Sequence, residues 1–535
     1  MSIRHNKKRK TKEKNGKVIR LAAKWKSGFF SVIFSRFGIV IFLLLMQIGV
    51  MMSVWSFLKD LVADYILVIQ GIFEVIVIIS LMNRPMSSSA KISWMLLITA
   101  MPLSGTLFYV WTTVEMGYGT TKHDLVRINE QSKKYIRKND AAAKHLRSIN
   151  RESFALAKYL NTYNSTAVYE NVRTEYFPFG EDKFERMLEE LEKAKKFIFL
   201  EYFIIEEGYM WGRILDILTR KADEGVEVRV MYDGTCDFSK LPHDYPKRLR
   251  SVGIQCRVWE RIKPVITSSY NYRDHRKLLI IDGKTAFCGG INLADEYINH
   301  IQKFGQWKDT AVMIEGAAVD EFTVMFLKMW NIKESEPEDF SLFLGKYDKS
   351  IHCEGCVIPY SESPLNEHQI AERVYSDILY TAKEYVYIMT PYLVLDDELM
   401  SALRFAAERG VDVRIVMPGI PDKKIIWALG KNYYRYLIKA GVRIFEYKPG
   451  FVHSKIFLSD NIKAVVGTIN LDYRSLYHHF ECALYLCGTP SIKDIQSDFS
   501  DVFSKSKEIT IDSVKHEKVI IKLTGAVMRL IAPLL

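Results

Sequence analysis

Two stretches of this 535-residue sequence carry the same reactive side chains at the same spacing. HRKLLIIDGKTAFCGGIN runs from His275 to Asn292, and HSKIFLSDNIKAVVGTIN runs from His453 to Asn470. Each begins with His and places Lys two residues on, Asp seven on and Asn seventeen on. The two sets are His275, Lys277, Asp282, Asn292 and His453, Lys455, Asp460, Asn470. On a β-strand, residues two apart point to one face, so each imidazole stands beside an ammonium. That inventory suits phosphodiester transfer. One imidazole nitrogen can attack phosphorus and hold the phosphoryl group covalently. The other can donate a proton to the leaving oxygen and then serve as base for the incoming hydroxyl. Two lysines and two asparagines can bind the non-bridging oxygens as charge develops. No metal or cofactor is required by this set.

The elements that must position the motifs repeat as well. The first half reads as a helix over Phe184–Ala194, a strand over Phe197–Ile205, a helix ending at Gly225, a strand over Val226–Tyr232 and a further strand after Gly253. The second reads as a helix over Ile370–Lys383, a strand over Tyr385–Met389, a helix to Gly410, and strands over Val411–Met417 and Val442–Tyr447. Each series ends in its motif. Alternating strands and helices argue for an α/β architecture with a parallel or mixed sheet in each half. Two like halves imply a pseudo-twofold with the motifs facing each other at the junction. The expected segments are a basic tail over 1–36, a transmembrane region over 37–114, a connecting helical segment over 115–165, and two similar α/β domains over 166–345 and 346–535.

Charge places the chain's partners. The net charge is +11, yet residues 1–36 hold twelve Lys or Arg against Glu13 alone, leaving 62 basic and 62 acidic residues in the remainder. The neutral motif-bearing part has no excess charge to offer a nucleic-acid backbone, which argues against a nuclease. An anionic membrane surface beside apolar segments is the better partner for the tail. Three apolar runs follow it: Phe37–Val54, Ile66–Met82 and Ile92–Val114, each near the ~20 residues a membrane-crossing helix needs. Basic residues on both sides of the three runs ask for the same face, which three full crossings cannot satisfy. The seven cysteines read as free thiols, and the lone pair Cys353 and Cys356 lacks the second pair a zinc site wants.

The paired HxKxxxxD motifs, each followed by a small residue two before the Asn (Gly290 and Thr468), resemble those of the phospholipase D superfamily. That resemblance implies an acidic residue after each motif to orient the histidines: Glu481 in HHFECALYL and Asp309 in QWKDTAVMIEG. It also implies that Asp282 and Asp460 are structural rather than reactive. Across residues 37–535, through FPFGEDKF, GTINLDYRSLYHHFE and the terminal RLIAPLL, the chain is similar to bacterial cardiolipin synthases of that superfamily. The resemblance implies two phospholipase-D-like α/β sandwich halves behind N-terminal transmembrane helices in the cell membrane. It further implies reversible transfer of a phosphatidyl group between two phosphatidylglycerol molecules through a phosphatidyl-histidine. His275 is then the nucleophile and His453 the general acid/base, although exchanging them leaves the argument unchanged. A hydrolytic phospholipase D and a phosphatidylserine synthase are the alternatives on the same scaffold.

Overall fold

The computed structural model describes residues 17–22, 49, 52, 60–113, 119–136, 139–261 and 272–534. Two sheets of matching topology dominate it. The first sheet contains β1 (Arg173–Phe177), β2 (Phe197–Tyr202), β3 (Glu227–Asp233), β4 (Gln255–Trp259), β5 (Lys277–Ile281), β6 (Thr285–Gly289) and β7 (Ala311–Glu315). Their spatial order is β1-β7-β6-β5-β2-β3-β4. The second contains β8 (Cys356–Glu362), β9 (Tyr385–Met389), β10 (Asp412–Pro418), β11 (Arg443–Tyr447), β12 (Ile456–Ser459), β13 (Lys463–Gly467) and β14 (His479–Cys487). Their order is β8-β14-β13-β12-β9-β10-β11, the same path through equivalent strands. In each sheet the three strands from the helical repeat are parallel, and the motif hairpin runs antiparallel to them.

The sheets face each other. On β5, Leu278 and Ile280 point into a core shared with Ile456, Leu458, Val466, Leu484 and Leu486 of the second sheet. Leu279 and Ile281 alternate to the opposite side, beneath α7 (Gly180–Glu192) and α8 (Tyr209–Asp223). This is why the motif strands read as unbroken apolar runs: both faces are covered. The inter-sheet layer also takes in one helix from each half, α9 (Val319–Asn331) and α13 (Ser491–Ser504). The outer face of the second sheet is covered by α10 (Ile370–Thr381), α11 (Asp397–Glu408) and α12 (Lys424–Lys439).

The N-terminal part departs from three simple spans. The run Phe37–Val54 falls outside the described residues apart from positions 49 and 52. Ile66–Met82 lies within α1 (Asp60–Met82). Ile92–Val114 is not one helix. α2 (Ser88–Ala100) stops before Met101, and α3 (Pro102–Thr113) starts at a proline that has no N–H to continue the ladder. The two fold back on each other, with Trp94 against Phe108 and Tyr109 at ring distances of 5.7 and 5.1 Å. Among the described residues, no helix is long and apolar enough to cross a membrane. The expected connecting helical segment over 115–165 holds α4 (Gly119–Ser132) and then, among the described residues, the pair α5 (Asp140–Ile149) and α6 (Arg151–Tyr163). They are broken at Asn150, whose side chain accepts from the Ser153 amide and caps the second. A last helix, α14 (Val519–Ile531), packs on α12, and Leu534 beyond it joins the α1–α3 cluster.

Candidate active site

Each motif histidine sits where the chain enters a motif strand, and each is held by the other half. Arg273–Asp274, just before His275, pair in parallel with His479–Phe480 at the start of β14. The His275 amide donates to the Phe480 carbonyl at 2.9 Å. At the next residue, Glu481 turns its carboxylate to His275, with Nδ1 at 2.8 Å from Oε1 and 2.9 Å from Oε2. The other half repeats the device. Gly450–Val452 pair in parallel with Gln306–Lys308, the His453 amide donates to the Lys308 carbonyl at 2.7 Å, and His453 Nδ1 lies 2.6 Å from Asp309 Oδ2. Thus Glu481 of the second half orients the first histidine, and Asp309 of the first half orients the second. With Nδ1 committed to a carboxylate, Nε2 of each ring is the nitrogen left for chemistry.

The small residues before each Asn belong to this arrangement. A Cβ on Gly290 would lie 2.1 Å from Asp309 Oδ1, so only glycine lets that carboxylate reach His453. Its counterpart Thr468 donates its hydroxyl to Glu481 Oε2. Lys277 and Lys455 are both buried, and each donates its Nζ to the carbonyl of its own motif histidine. Asn292 accepts from the Ile204 amide at 3.0 Å and donates to the Tyr297 hydroxyl at 2.9 Å. Asn470 has a buried Oδ1 without a hydrogen-bond partner.

Burial sets the electrostatics. It pushes the His275 imidazole well below its usual range, with Lys277 adding repulsion. His453 is lowered to about 4 by burial and then by Lys455, against the pull of Asp309. Lys277 and Lys455 fall to about 8 and about 7 for the same first reason. Glu481 is raised well above the carboxylate range by burial, opposed chiefly by Lys277. Both imidazoles are therefore neutral at neutral pH, the form with a lone pair to offer. An anion seated among the two lysines and the second histidine would favour protonation there.

Asp282 and Asp460 do not join this centre. Each lies at the far end of its motif strand, five residues or roughly 16 Å from the lysine, with φ near +55° and +52°. Asp282 accepts from the amides of Lys195, Lys196 and Phe197. Asp460 does the same for Lys383, Glu384 and Tyr385. Each ties a motif hairpin to the start of the neighbouring strand, a fold-building task. The repeated motif does not mark His479. This buried ring lies 5.4 Å from His275, and its Nδ1 is 3.6 Å from Glu481 Oε1. The signal was there, since His479 and Glu481 are two apart on one strand. Ligand atoms of His275, His479 and Glu481 lie within 4.8 Å of one another, a spacing that would take a divalent ion at the expense of the His275 lone pair. Phe203 stands edge-on to His275 at 4.8 Å, and Tyr297 and Trp307 flank His453 at 5.4 and 5.5 Å. Phe203 comes from a loop, Tyr297 from a single 3-10 turn and Trp307 from the three-residue strand Gln306–Lys308, segments too short for a strand or helix period to mark them.

A family model described as "Cardiolipin synthase, PLD-like domain" matches residues 187–330 and 375–503, about half of the chain and both motifs. The chain belongs to the cardiolipin synthase family. An uncharacterised protein of Streptococcus mutans is 52% identical over 86% of this chain and 99% of its own length. A cardiolipin synthase of Alkalihalophilus pseudofirmus is 32% identical, covering 83% of this chain and 88% of that protein. Cardiolipin synthase 2 of Bacillus anthracis is also 32% identical, covering 86% and 89%. Among solved structures, a phosphatidylserine synthase of Haemophilus influenzae is similar with a TM-score of 0.53 and 14% identity, covering 72% of this chain and 98% of that one. That likeness concerns the fold of the cardiolipin synthase family, not its substrate.

Proposed function

We propose that this phosphatidyltransferase makes cardiolipin from two molecules of phosphatidylglycerol by double displacement at one phosphorus, with His275 as nucleophile and His453 as acid and base. The observation that carries this reading is the pair of buried imidazoles, each oriented at Nδ1 by a carboxylate of the opposite half, beside two buried lysines. In the first step Nε2 of His275 bonds to the donor's phosphorus. The bond to the headgroup glycerol breaks, and His453, protonated at Nε2 in the complex with the anionic substrate, gives that oxygen its proton. In the second, His453 takes the proton of the acceptor's terminal hydroxyl, whose oxygen bonds to phosphorus as the P–N bond breaks. Cardiolipin leaves and both histidines return to their starting state. Lys277, Lys455, Asn292 and Asn470 bind the non-bridging oxygens, and Glu481 and Asp309 fix the two rings. Overall one phosphodiester is exchanged for another, so the transfer is reversible.

The substrates lie in a bilayer, and the exposed apolar surface supports a membrane seat. α1 exposes Leu67, Val68, Ile69, Ile72, Val75, Ile76 and Ile79. α14 exposes Ile520, Leu523, Val527 and Leu530, a three-and-four-residue stripe, follows Lys518 and carries Lys522 and Arg529.

The test is incubation of the purified protein in detergent with phosphatidylglycerol labelled in the headgroup. The reading expects one glycerol released per cardiolipin formed. Phosphatidic acid as the main product, or no reaction without an added alcohol, would replace it with a hydrolytic or broader transferase.

A further inference from the structure

Phosphatidyl transfer leaves one buried ring beside the nucleophile without a task. His479 is 7% exposed, and neither of its ring nitrogens has a hydrogen-bond partner among the described residues. An unpaired buried imidazole has lost its hydration and gained nothing for it, a cost that a bound group would remove. The pseudo-twofold sets the position apart. The His275 amide donates to Phe480 and the His453 amide to Lys308, so His479 corresponds to Trp307, each two residues before the carboxylate that orients a motif histidine. Trp307 lies 5.5 Å from His453, and His479 lies 5.4 Å from His275. Indole has no nitrogen lone pair to offer at that place, whereas imidazole has one. His479 Nδ1 stands 3.6 Å from Glu481 Oε1, which in turn lies 2.8 Å from His275 Nδ1.

We propose that His275, His479 and Glu481 form a zinc site that reversibly switches the enzyme off. Two imidazoles and one carboxylate are the donor set of a zinc centre with an open fourth position. Around a tetrahedral ion such atoms stand roughly 3.3 Å apart. Here one atom from each side chain lies within 4.8 Å of the others, so a modest rotation closes them on one ion. Magnesium and calcium want six or more oxygens, which this set does not supply, while zinc and cobalt accept imidazole nitrogen. Lys277 and Lys455 stand close by and repel a dication, which keeps the ion exchangeable. The block follows from the ring itself. Neutral imidazole has a single nitrogen lone pair. An ion on Nε2 of His275 takes that pair directly, and an ion on Nδ1 sends the ring proton to Nε2. Either way His275 cannot attack phosphorus. The inference rests on His275 as the nucleophile proposed above, and it confines the block to that half, because Trp307 denies His453 the same partner.

Cobalt(II) reads the site without turnover, through the visible absorption it gains on leaving water for imidazole ligands. The full chain in detergent, stripped by chelator, would be used in a Cys353→Ser background, since the other six cysteines are buried. One equivalent of cobalt is expected to bind, and zinc to displace it. Zinc should also lower cardiolipin formation at least tenfold, EDTA should restore it, and magnesium at a hundredfold higher concentration should have no effect. His479→Phe keeps a ring, and His479→Trp installs the side chain of the other half. Each should lose the cobalt absorption and need at least tenfold more zinc for half-inhibition, measured against its own metal-free rate. No cobalt absorption in the parent protein, or absorption and zinc sensitivity unchanged in both variants, would overturn the site. Cobalt binding that depends on His479, with turnover indifferent to zinc, would overturn the block and count against His275 as nucleophile.

Discussion

Asp309 and Glu481 show at the level of single residues what one sequence hides. The reactive set was legible because histidine, lysine and asparagine recur at equal spacing, and both carboxylates lie a short way downstream. Their cross-pairing was not legible. Glu481 is 206 positions from the ring it holds, and only the parallel pairing of Arg273–Asp274 with His479–Phe480 brings them together. Asp309→Asn is therefore expected to disable His453, and Glu481→Gln to disable His275. Each should cut kcat by about 100-fold or more with little change in KM, as losses confined to the transition state do. Steady-state kinetics on phosphatidylglycerol would check this, and a change mainly in KM would count against an orienting role. Burying the lysines has a cost that pH reveals. Lys455 is lowered from 10.5 to about 7 and Lys277 to about 8, so between those values and 10.5 the unfolded chain binds more protons than the folded one. Stability should then rise with pH across that window, each pKa unit being worth about 1.4 kcal/mol. Lys455→Met should be inactive yet raise Tm at pH 7 and flatten the slope, and a lower Tm at every pH would contradict the burial argument.

Among the elements, the motif hairpins carry the most consequence per residue. The alternation of Leu278 and Ile280 inward with Leu279 and Ile281 outward was implicit in the apolar run, but which side met the other sheet was not, because both sides are buried. The turn after each hairpin was read as a small-residue signature, and its physical content is the room it leaves for a carboxylate. Gly290→Ala should force Asp309 away from His453 and lower activity to the level of Asp309→Asn. Tm should move by no more than a few degrees, because the strand pairing around it persists. Activity within about twofold of the native protein would show that the contact can relax. The break of the third apolar run at Pro102 carried its own signal in the sequence, since proline rarely continues a helix, whereas the folding back of α2 on α3 depends on Trp94 meeting Phe108 and Tyr109.

Over the whole molecule, the two halves share one core and one centre. Phe326 of α9 stacks on Phe199 of β2 at 4.7 Å between the sheets, wholly buried. Phe326→Ala is expected to cost about 3 to 5 kcal/mol and to destabilise both halves together, giving a single calorimetric transition at lower temperature. Two separated transitions would mean that the halves unfold independently. The internal repeat was visible from end to end, but the swap of orienting residues between halves makes the repeat a requirement: neither half holds a complete site. Covalent capture of the phosphatidyl group tests this account most directly. His453→Asn, given a phosphatidyl ester with a leaving group that needs no protonation, should accumulate phosphatidyl label on His275 that is lost in acid. Label on His453 in the reciprocal His275→Asn protein, or turnover with no labelled histidine in either, would contradict it.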